Sequence, residues 1–225
     1  LQHNVMVPMR DGVRLAADVY LPIQDGRPLA ERLPAILMRT PYGKGSGDKG
    51  NADGHYFARW GYAVVFQDTR GRYASEGTWH MLLDDGPDGF DTAAWIAQQP
   101  WSNGKIGTIG TSYVGGTQHA LAMTRSPHLT TAIPVDAMSN LGYASMRNGG
   151  AFELRFWNWI MANAGRGSQY ERDPGTKDVL AEMARQRIQY LANLPLRAGT
   201  TPLRLAPAYE QWLVEAMGHG INDDF

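Results

Sequence analysis

Cysteine is absent from this 225-residue chain, and its absence excludes disulfides, a cysteine nucleophile and thiolate metal sites. A basic excess is also missing: 21 Lys and Arg residues stand against 22 Asp and Glu residues, so we expect no nucleic-acid partner. No apolar run reaches the roughly 18 residues that a membrane span requires, and no histidine pair has the spacing of a metal-binding His-Glu-x-x-His motif. The expectation is therefore a soluble protein, cytoplasmic or exported, without a metal or a cofactor.

The remaining composition is that of a globular protein, since 43% of the residues are apolar and 19% are charged. The length suits one large α/β domain, or one domain with an insertion. The chain begins at Leu1 with no charged-then-apolar leader, so we expect it to start inside a longer reading frame or after processing.

The N-terminal part of the chain alternates between strand-like and helix-like segments. Residues 5–9 and 13–21 predict a hairpin around Asp11 and Gly12. Further strands are predicted at 35–39, 62–67, 105–109 and 130–135, and helices at 55–60, 84–97 and 113–125. Strands separated by helices indicate a mainly parallel sheet, covered on both faces, that follows an N-terminal antiparallel hairpin.

From about Gly149 the pattern changes to helices, predicted at 152–164, 177–194 and 207–217, with no convincing strand between them. We interpret this part as the start of a helical insertion. The sequence therefore predicts two domains, residues 1–145 and residues 146–225.

The strongest chemical signal is the segment 110–115, Gly-Thr-Ser-Tyr-Val-Gly, between a predicted buried strand and a predicted helix. A serine on so tight a turn presents its hydroxyl at the carboxyl edge of the sheet, and the next amide points at a developing oxyanion. Ser112 would then be a nucleophile and the Tyr113 amide an oxyanion donor. The alternative is an ordinary strand-to-helix turn capped by Ser112, because Val114 replaces the last glycine of the usual Gly-x-Ser-x-Gly motif.

A serine hydrolase needs a second oxyanion donor from the loop after an earlier strand. Tyr42 lies just past the carboxyl end of the strand predicted at 35–39, so its hydroxyl is a candidate for that donor. The alternative is a tyrosine that packs on the rim of the sheet.

Several motifs together resemble those of a known family. Residues 110–115 combine with Arg-x-Pro-Tyr at 39–42 and Gln-Asp-Thr-Arg-Gly-x-x-x-Ser-Glu-Gly at 67–77. Matches also occur in three further segments, 9–15, 91–96 and 101–107. In this combination the chain resembles the X-Pro dipeptidyl-peptidase (S15) or CocE/NonD serine hydrolases, which include esterases, α-amino acid ester hydrolases and cephalosporin acylases. The resemblance covers about residues 5–140.

The resemblance implies an α/β-hydrolase fold and an acyl-enzyme mechanism on small acyl esters or amides, without a cofactor. By position it makes Ser112 the nucleophile, with the Tyr113 amide and the Tyr42 hydroxyl as the oxyanion hole. The glycine at position 115 instead of 114 is then the family's own variant.

The resemblance also implies a helical cap after the sixth strand of the sheet, followed by the Asp and the His of a catalytic triad and by a β-sandwich domain. We therefore expect that Asp and that His beyond residue 225. On this expectation the chain is the N-terminal part of a hydrolase, incomplete on its own, and the remaining C-terminal part of the same protein is its partner.

Other titratable residues invite a catalytic role but are interpreted as structural. Asp68, Arg70 and Glu76 are expected to form an ion-pair and turn network, because the acid of this fold follows the serine in sequence. His119 lies seven residues after the serine, about 10 Å along a helix, which is too far for a hydrogen bond. A structural or solvent-exposed position is also expected for His55, His80, His128 and His219.

A dinucleotide-binding protein is one alternative function. Gly45, Gly47 and Gly50 form a Gly-x-Gly-x-x-Gly motif after a strand, and Asp68 ends the next strand, as in an NAD-type oxidoreductase. Two details oppose this interpretation. Five residues separate the strand from the first glycine, and the helical pattern begins only after Gly54.

A non-catalytic α/β-hydrolase-like binding module is the other alternative. Such a module needs no complete triad. An intact pair of Tyr42 and Ser112 would have no purpose in it, which favours the hydrolase.

Overall fold

The computed structural model describes residues 1–24, 26–45, 50–138, 146–167, 174–192 and 195–218. The chain divides into two compact units, a first unit of residues 1–77 with 81–137 and a second unit of residues 78–80 with 138–225. The domain boundary predicted after residue 145 adjoins the stretch 139–145, outside the described residues, and it stays a prediction.

The first unit is built on a six-stranded sheet. Its elements, in chain order, are β1 (Gln2–Pro8), β2 (Arg14–Tyr20), β3 (Ile23–Gln24), β4 (Arg27–Pro28), β5 (Leu33–Thr40), α1 (Ala52–Arg59), β6 (Ala63–Asp68), α2 (Asp85–Gln98), β7 (Ser102–Thr111), α3 (Tyr113–Met123) and β8 (Leu129–Val135). The order across the sheet is β1-β2-β6-β5-β7-β8, and β3 pairs separately with β4. The pairs β1–β2 and β2–β6 are antiparallel, whereas β5–β6, β5–β7 and β7–β8 are parallel. The predicted mainly parallel sheet with an N-terminal antiparallel hairpin is confirmed.

Apolar side chains lie on both faces of the sheet, but the predicted cover on both faces does not extend to the edge strand β8, which is exposed from Thr130 to Val135. Every residue of β6 is buried, as expected for a strand between two neighbours with helices above and below. On one face, Ile96 of α2 and Leu121 of α3 join the strand residues in one core cluster. On the other face, Val64 and Phe66 pack with Phe57 of α1.

Helix α1 begins at Ala52, three residues before the predicted start at residue 55. The cause is a local hydrogen bond that the apolar pattern does not show. The Asn51 side chain accepts a hydrogen bond from the Asp53 N–H at 2.8 Å, so Asn51 caps the helix and fixes its first turn.

Strand β7 begins at Ser102 and runs through Asn103 and Gly104, where the sequence predicts a turn. The two observations are compatible because the pairing with β5 shifts register between Leu33 and Ala35. Gly104 has a φ of 81°, which a glycine adopts without strain. The turn signal therefore marks an irregularity inside the strand.

The second unit contains β9 (Arg147–Asn148), β10 (Ala151–Phe152), α4 (Leu154–Ala164), α5 (Pro174–Arg185), α6 (Arg187–Leu191), a 3-10 helix (Pro202–Leu205) and α7 (Pro207–Gly218). The strands β9 and β10 form an antiparallel pair where the sequence predicts the start of a helical insertion, so this part is not helical from its beginning. The pair precedes the first helix and does not lie between the predicted helices. Gly149 and Gly150 connect the two strands with φ angles of 57° and 92°. Strands of two residues are too short to show a period in the sequence.

The helix predicted over 177–194 is divided in the structure. Gln186 separates α5 from α6, with a φ of −95° and a ψ of 11° that interrupt the regular helix. Residues 193 and 194 lie outside the described residues. The helix predicted from residue 152 begins two residues later, at Leu154, because Phe152 belongs to β10.

An aromatic cluster lies in the core of the second unit. The buried Trp79 ring lies 5.4 Å from the ring of Trp159 and 5.5 Å from the ring of Tyr209, measured between centroids. The segment 78–80, from the loop between β6 and α2, thus supplies part of the core of this unit.

Truncating the buried Ile96 should destabilise the first unit much more than truncating an exposed isoleucine. Ile96 is 0% exposed and Ile23 is 70% exposed. We expect Ile96→Ala to lower the free energy of unfolding by about 2–5 kcal/mol, because it leaves a cavity in the core. Ile23→Ala is the matched control, with an expected change within about 0.5 kcal/mol. Urea denaturation measures both, and equal losses would contradict the assignment of the core.

Candidate active site

Ser112 is the single residue between the end of β7 and the start of α3. Its φ of 59° and ψ of −121° lie in a region that residues with a Cβ rarely adopt. Three hydrogen bonds hold its backbone: the Ser112 N–H donates to the Val135 carbonyl, and the Ser112 carbonyl accepts from the N–H groups of Gly115 and Gly116, each at 2.9 Å. Such strain costs on the order of 1–3 kcal/mol and persists only where the surroundings enforce it.

The side chain of Ser112 is exposed and, among the described residues, makes no hydrogen bond that caps α3. The interpretation of Ser112 as a helix cap is therefore not supported. Ser112 directly follows the carboxyl end of β7, and its role as a nucleophile stays a prediction.

Two glycines around the serine explain why the usual motif is displaced. A Cβ on Gly110 would lie 2.2 Å from Cγ1 of Val114, and a Cβ on Gly115 would lie 2.5 Å from the Cβ of Ala137. The turn therefore requires glycine at positions 110 and 115. It accepts valine at 114 because Gly110 leaves room for that side chain.

Tyr113 is held in a buried hydrogen-bond arrangement. Its side chain is 1% exposed. The Tyr113 hydroxyl donates to Oδ2 of Asp85 at 2.7 Å and accepts from the Leu82 N–H at 2.9 Å. The first residue of α3 is therefore fixed through its side chain as well as through its backbone.

Asp85 also pairs with an arginine. Nη2 of Arg39 lies 3.2 Å from Oδ1 of Asp85, and Nη1 of Arg39 donates to the Asp85 carbonyl at 2.6 Å. Burial raises the pKa of the Asp85 carboxyl, while the charge of Arg39 and the hydrogen bond from Tyr113 oppose that rise. Nε of Arg39 donates to Oε1 of Gln67 at 2.9 Å, so the guanidinium is oriented from a second side.

Tyr42 lies in the loop that follows β5, three residues after Arg39. Its N–H donates to Oγ1 of Thr40 at 3.1 Å, and its side chain is 40% exposed. The rings of Tyr42 and Tyr113 meet edge to face, with centroids 6.4 Å apart and an interplanar angle of 75°. Because β5 and β7 are parallel neighbours, Tyr42 and Ser112 leave the sheet at the same edge.

Buried polar contacts hold the loop that carries Tyr42. Nε of the fully buried Arg72 donates to the Pro41 carbonyl at 3.0 Å. The Lys44 N–H donates to Oδ1 of Asp68 at 2.7 Å, and Nζ of Lys44 reaches Oδ2 of the same carboxylate at 3.2 Å. Burial raises the pKa of Asp68, and Lys44 opposes the rise. Contacts on both sides of Tyr42 thus set its position.

The two other charged residues of the predicted network also have structural partners. Nη2 of Arg70 lies 2.6 Å from Oδ1 of Asp88. Nη2 of Arg14 lies 2.5 Å from Oε1 of Glu76. Together with the Lys44 contacts of Asp68, these pairs agree with the interpretation of this loop as an ion-pair network.

The histidines occupy separate places. His119 lies within α3, and the His55 ring packs edge-on against Tyr20 with centroids 5.1 Å apart. The carbonyl of His128 accepts from the Ile106 N–H at 2.9 Å. His80 belongs to the second unit, and His219 lies outside the described residues.

Part of the Gly-x-Gly-x-x-Gly motif, including Gly47, lies outside the described residues. Gly50 has a structural reason of its own, because an added Cβ would lie 2.6 Å from the Tyr20 hydroxyl. The first turn of α1 is capped by Asn51. Within the described residues, no group of three His, Asp or Glu is arranged to hold a metal ion, and no helix is long and apolar enough to cross a membrane.

The sequence alone assigns no role to Asp85 and gives Arg39 only as part of a motif. A usable signal exists: Arg39 directly follows the apolar run 35–38, so its charge is buried and needs an acidic partner.

Comparisons with known proteins point to one family. The model of the X-Pro dipeptidyl-peptidase (S15) family matches residues 11–225. Cocaine esterase from Rhodococcus sp. (strain MB1 Bresler) is 36% identical over 229 aligned positions, which cover 98% of this chain and 39% of that protein.

Solved structures agree with this match. A selenomethionine-labelled α-amino acid ester hydrolase is 33% identical with a TM-score of 0.59, over 72% of this chain and 29% of that chain. A CocE/NonD family hydrolase from Staphylococcus aureus is 27% identical with a TM-score of 0.62, over 72% of this chain and 33% of that chain. The predicted α/β-hydrolase fold is confirmed. The chain spans about two-fifths of the curated esterase and about a third of each solved structure.

A methyl group at position 110 should disrupt the turn at Ser112. Gly110→Ala adds a collision with Val114, whereas Gly104→Ala, at a φ of 81°, meets no described atom within 4 Å. We expect the control to cost about 1–2 kcal/mol of backbone strain and Gly110→Ala to cost about 1–3 kcal/mol more. Urea denaturation of both variants checks this, and equal losses would contradict the close approach of Gly110 and Val114.

Proposed function

The chain belongs to the X-Pro dipeptidyl-peptidase (S15) family, and from this premise we propose that the protein is a serine hydrolase that cleaves acyl ester or amide bonds through an acyl-enzyme on Ser112. The observation that carries the proposal is the left-handed backbone of Ser112, an exposed residue between a strand and a helix. Strain of this kind is stored where a reaction needs it.

In the proposed first step, Oγ of Ser112 attacks the carbonyl carbon of the substrate while a base removes its proton. The carbonyl electron pair moves to oxygen and creates a tetrahedral oxyanion. The oxyanion then collapses, the leaving alcohol or amine takes the proton, and an ester to Ser112 remains. Water repeats the sequence on this ester and releases the acid.

The two proposed oxyanion donors are suited to that charge. The Tyr113 N–H is at the first residue of α3, where the helix dipole favours negative charge. The Tyr42 hydroxyl belongs to a residue that is 40% exposed and lies in the loop after the adjacent strand β5. Donors fixed before the reaction stabilise the transition state without a cost of reorganisation.

The base and the acid of the triad are proposed to lie in the part of the protein beyond residue 225. In this fold they follow the serine in chain order, as Asp and then His. The buried Asp68 precedes the serine and already pairs with Lys44. We propose small acyl esters or amides as substrates, by analogy with the esterases and acylases that the family contains.

Replacing Ser112 should abolish turnover and leave the fold intact. We expect Ser112→Ala, in the full-length protein, to lower kcat for p-nitrophenyl esters by about 10⁴–10⁶ and to prevent labelling by a fluorophosphonate. Ser126→Ala is a matched control, because the described residues offer the buried Ser126 hydroxyl no hydrogen-bond partner. A non-catalytic binding module would show no labelling in the unmodified protein. Equal labelling of Ser112→Ala and the unmodified protein would place the nucleophile elsewhere.

Removing the Tyr42 hydroxyl should slow the chemical step with little change in substrate binding. We expect Tyr42→Phe to lower kcat by about 10²–10³ with KM nearly unchanged, since the donor binds tightly only in the transition state. Tyr56→Phe, at an exposed tyrosine of α1, is the matched control. Steady-state kinetics decide the matter, because an unaltered kcat in Tyr42→Phe is incompatible with an oxyanion role.

A further inference from the structure

We propose that Asp85 is a positioning residue of the oxyanion site, which holds the Tyr113 amide and the Tyr42 loop in register through one buried carboxylate. The inference rests on the proposed function and goes beyond it, because Asp85 is neither nucleophile nor oxyanion donor. Asp85 acts through Tyr113 on one side and through Arg39 on the other.

Asp85 holds the side chain of Tyr113. The carboxylate of Asp85 accepts the Tyr113 hydroxyl at 2.7 Å, inside a site where Asp85 is 4% exposed and Tyr113 is 1% exposed. The Leu82 N–H occupies the other side of that hydroxyl at 2.9 Å. A hydrogen bond to a charged acceptor in a buried place is stronger than one between neutral groups. The Tyr113 ring is therefore fixed at its far end, and its amide is directly attached to the strained residue Ser112.

Asp85 is also connected, through Arg39, to the strand that leads to Tyr42. Arg39 is bound to both the carboxylate and the carbonyl of Asp85, at 3.2 and 2.6 Å. Arg39 is the last residue but one of β5, and the loop with Tyr42 starts directly after that strand. The Asp85 carboxylate therefore contacts Tyr113, whose amide is one proposed oxyanion donor. It also contacts Arg39, near the end of the strand that leads to Tyr42, the other proposed donor.

Asp85 and the nearby Asp88 have different partners. Asp88 lies one helical turn along α2, but its carboxylate pairs with Arg70 at 2.6 Å and is 3.9 Å from Arg39. Asp88 therefore holds the loop after β6. Asp85 is the carboxylate that contacts Tyr113. Burial raises the pKa of Asp85, and the charge of Arg39 opposes that rise.

The consequence for catalysis follows from geometry. Displacing a reacting group by about 1 Å can cost about 10²-fold in rate. Without the carboxylate, the Tyr113 hydroxyl loses its charged acceptor, and the nearest remaining carboxylate to Arg39 is the more distant Asp88, at 3.9 Å. The distance between the two oxyanion donors is then no longer fixed, and kcat falls while the substrate pocket itself is unchanged.

The test is a double-mutant cycle in the full-length protein, with ester hydrolysis and the rate of fluorophosphonate labelling as readouts. Tyr113→Phe keeps the amide and removes only the hydroxyl, and we expect about 10-fold lower kcat with KM within about twofold. Asp85→Ala should lower kcat about 10²-fold. In the Asp85→Ala background, Tyr113→Phe should have less than about a twofold further effect, because its bond is already lost. Asp85→Asn retains an acceptor oxygen and should recover part of the activity.

Asp91→Asn is the matched control, because Asp91 is on the same helix and pairs with Arg10 instead. It should leave kcat unchanged, and a loss equal to that of Asp85→Ala would overturn the proposal. An unaltered kcat in Tyr113→Phe, or a full 10-fold effect of Tyr113→Phe in the Asp85→Ala background, would also overturn it. If Asp85→Ala does not fold, Tyr113→Phe and Asp85→Asn decide alone. If the fluorophosphonate does not label Ser112 in the unmodified protein, the proposed function is overturned as well. If Ser112 is labelled but Tyr113→Phe leaves kcat unchanged, only this inference is overturned.

Discussion

The left-handed backbone of Ser112 is the constraint that the surrounding structure satisfies. Ser112 lies between β7 and α3. Its conformation requires glycine at positions 110 and 115, and the Val135 carbonyl accepts a hydrogen bond from the Ser112 N–H. Residues with a Cβ avoid this conformation in isolation. The strand β8, through Val135, and the Tyr113 side chain, through its hydrogen bond to Asp85, must therefore hold the backbone of Ser112 in this conformation.

Buried ion pairs supply much of that rigidity. Arg39, Lys44 and Arg70 are largely withdrawn from water, and each faces an aspartate. Such pairs contribute little net stability, because the loss of hydration offsets the attraction between the charges. They do impose one geometry, since any other arrangement would leave a buried charge without its partner. In this chain the geometry that they impose is that of the loops at the carboxyl edge of the sheet.

The sheet could be predicted from the sequence because its strands are short apolar runs between turn residues. Ser112 could be predicted because it lies between a predicted strand and a predicted helix, near Gly110 and Gly115. The contact between Asp85 and Tyr113 could not, since it joins residues 28 positions apart through side chains alone. The start of α1 depends on the side chain of Asn51, and the pair β9–β10 is too short for periodicity. Local patterns thus identified the candidate nucleophile, and long-range packing determined what supports it.

The segment 78–80 has a consequence for the history of the gene. It belongs to the second unit although its flanking residues belong to the first, and it places Trp79 between Trp159 and Tyr209. A later insertion of residues 138–225 into an older domain would have needed a matching change far upstream in the chain, at Trp79. Trp79 and the inserted part would then have evolved together. A shortened protein without residues 138–225 would leave the Trp79 side chain with no core to enter, so a designer of minimal variants would have to replace it as well.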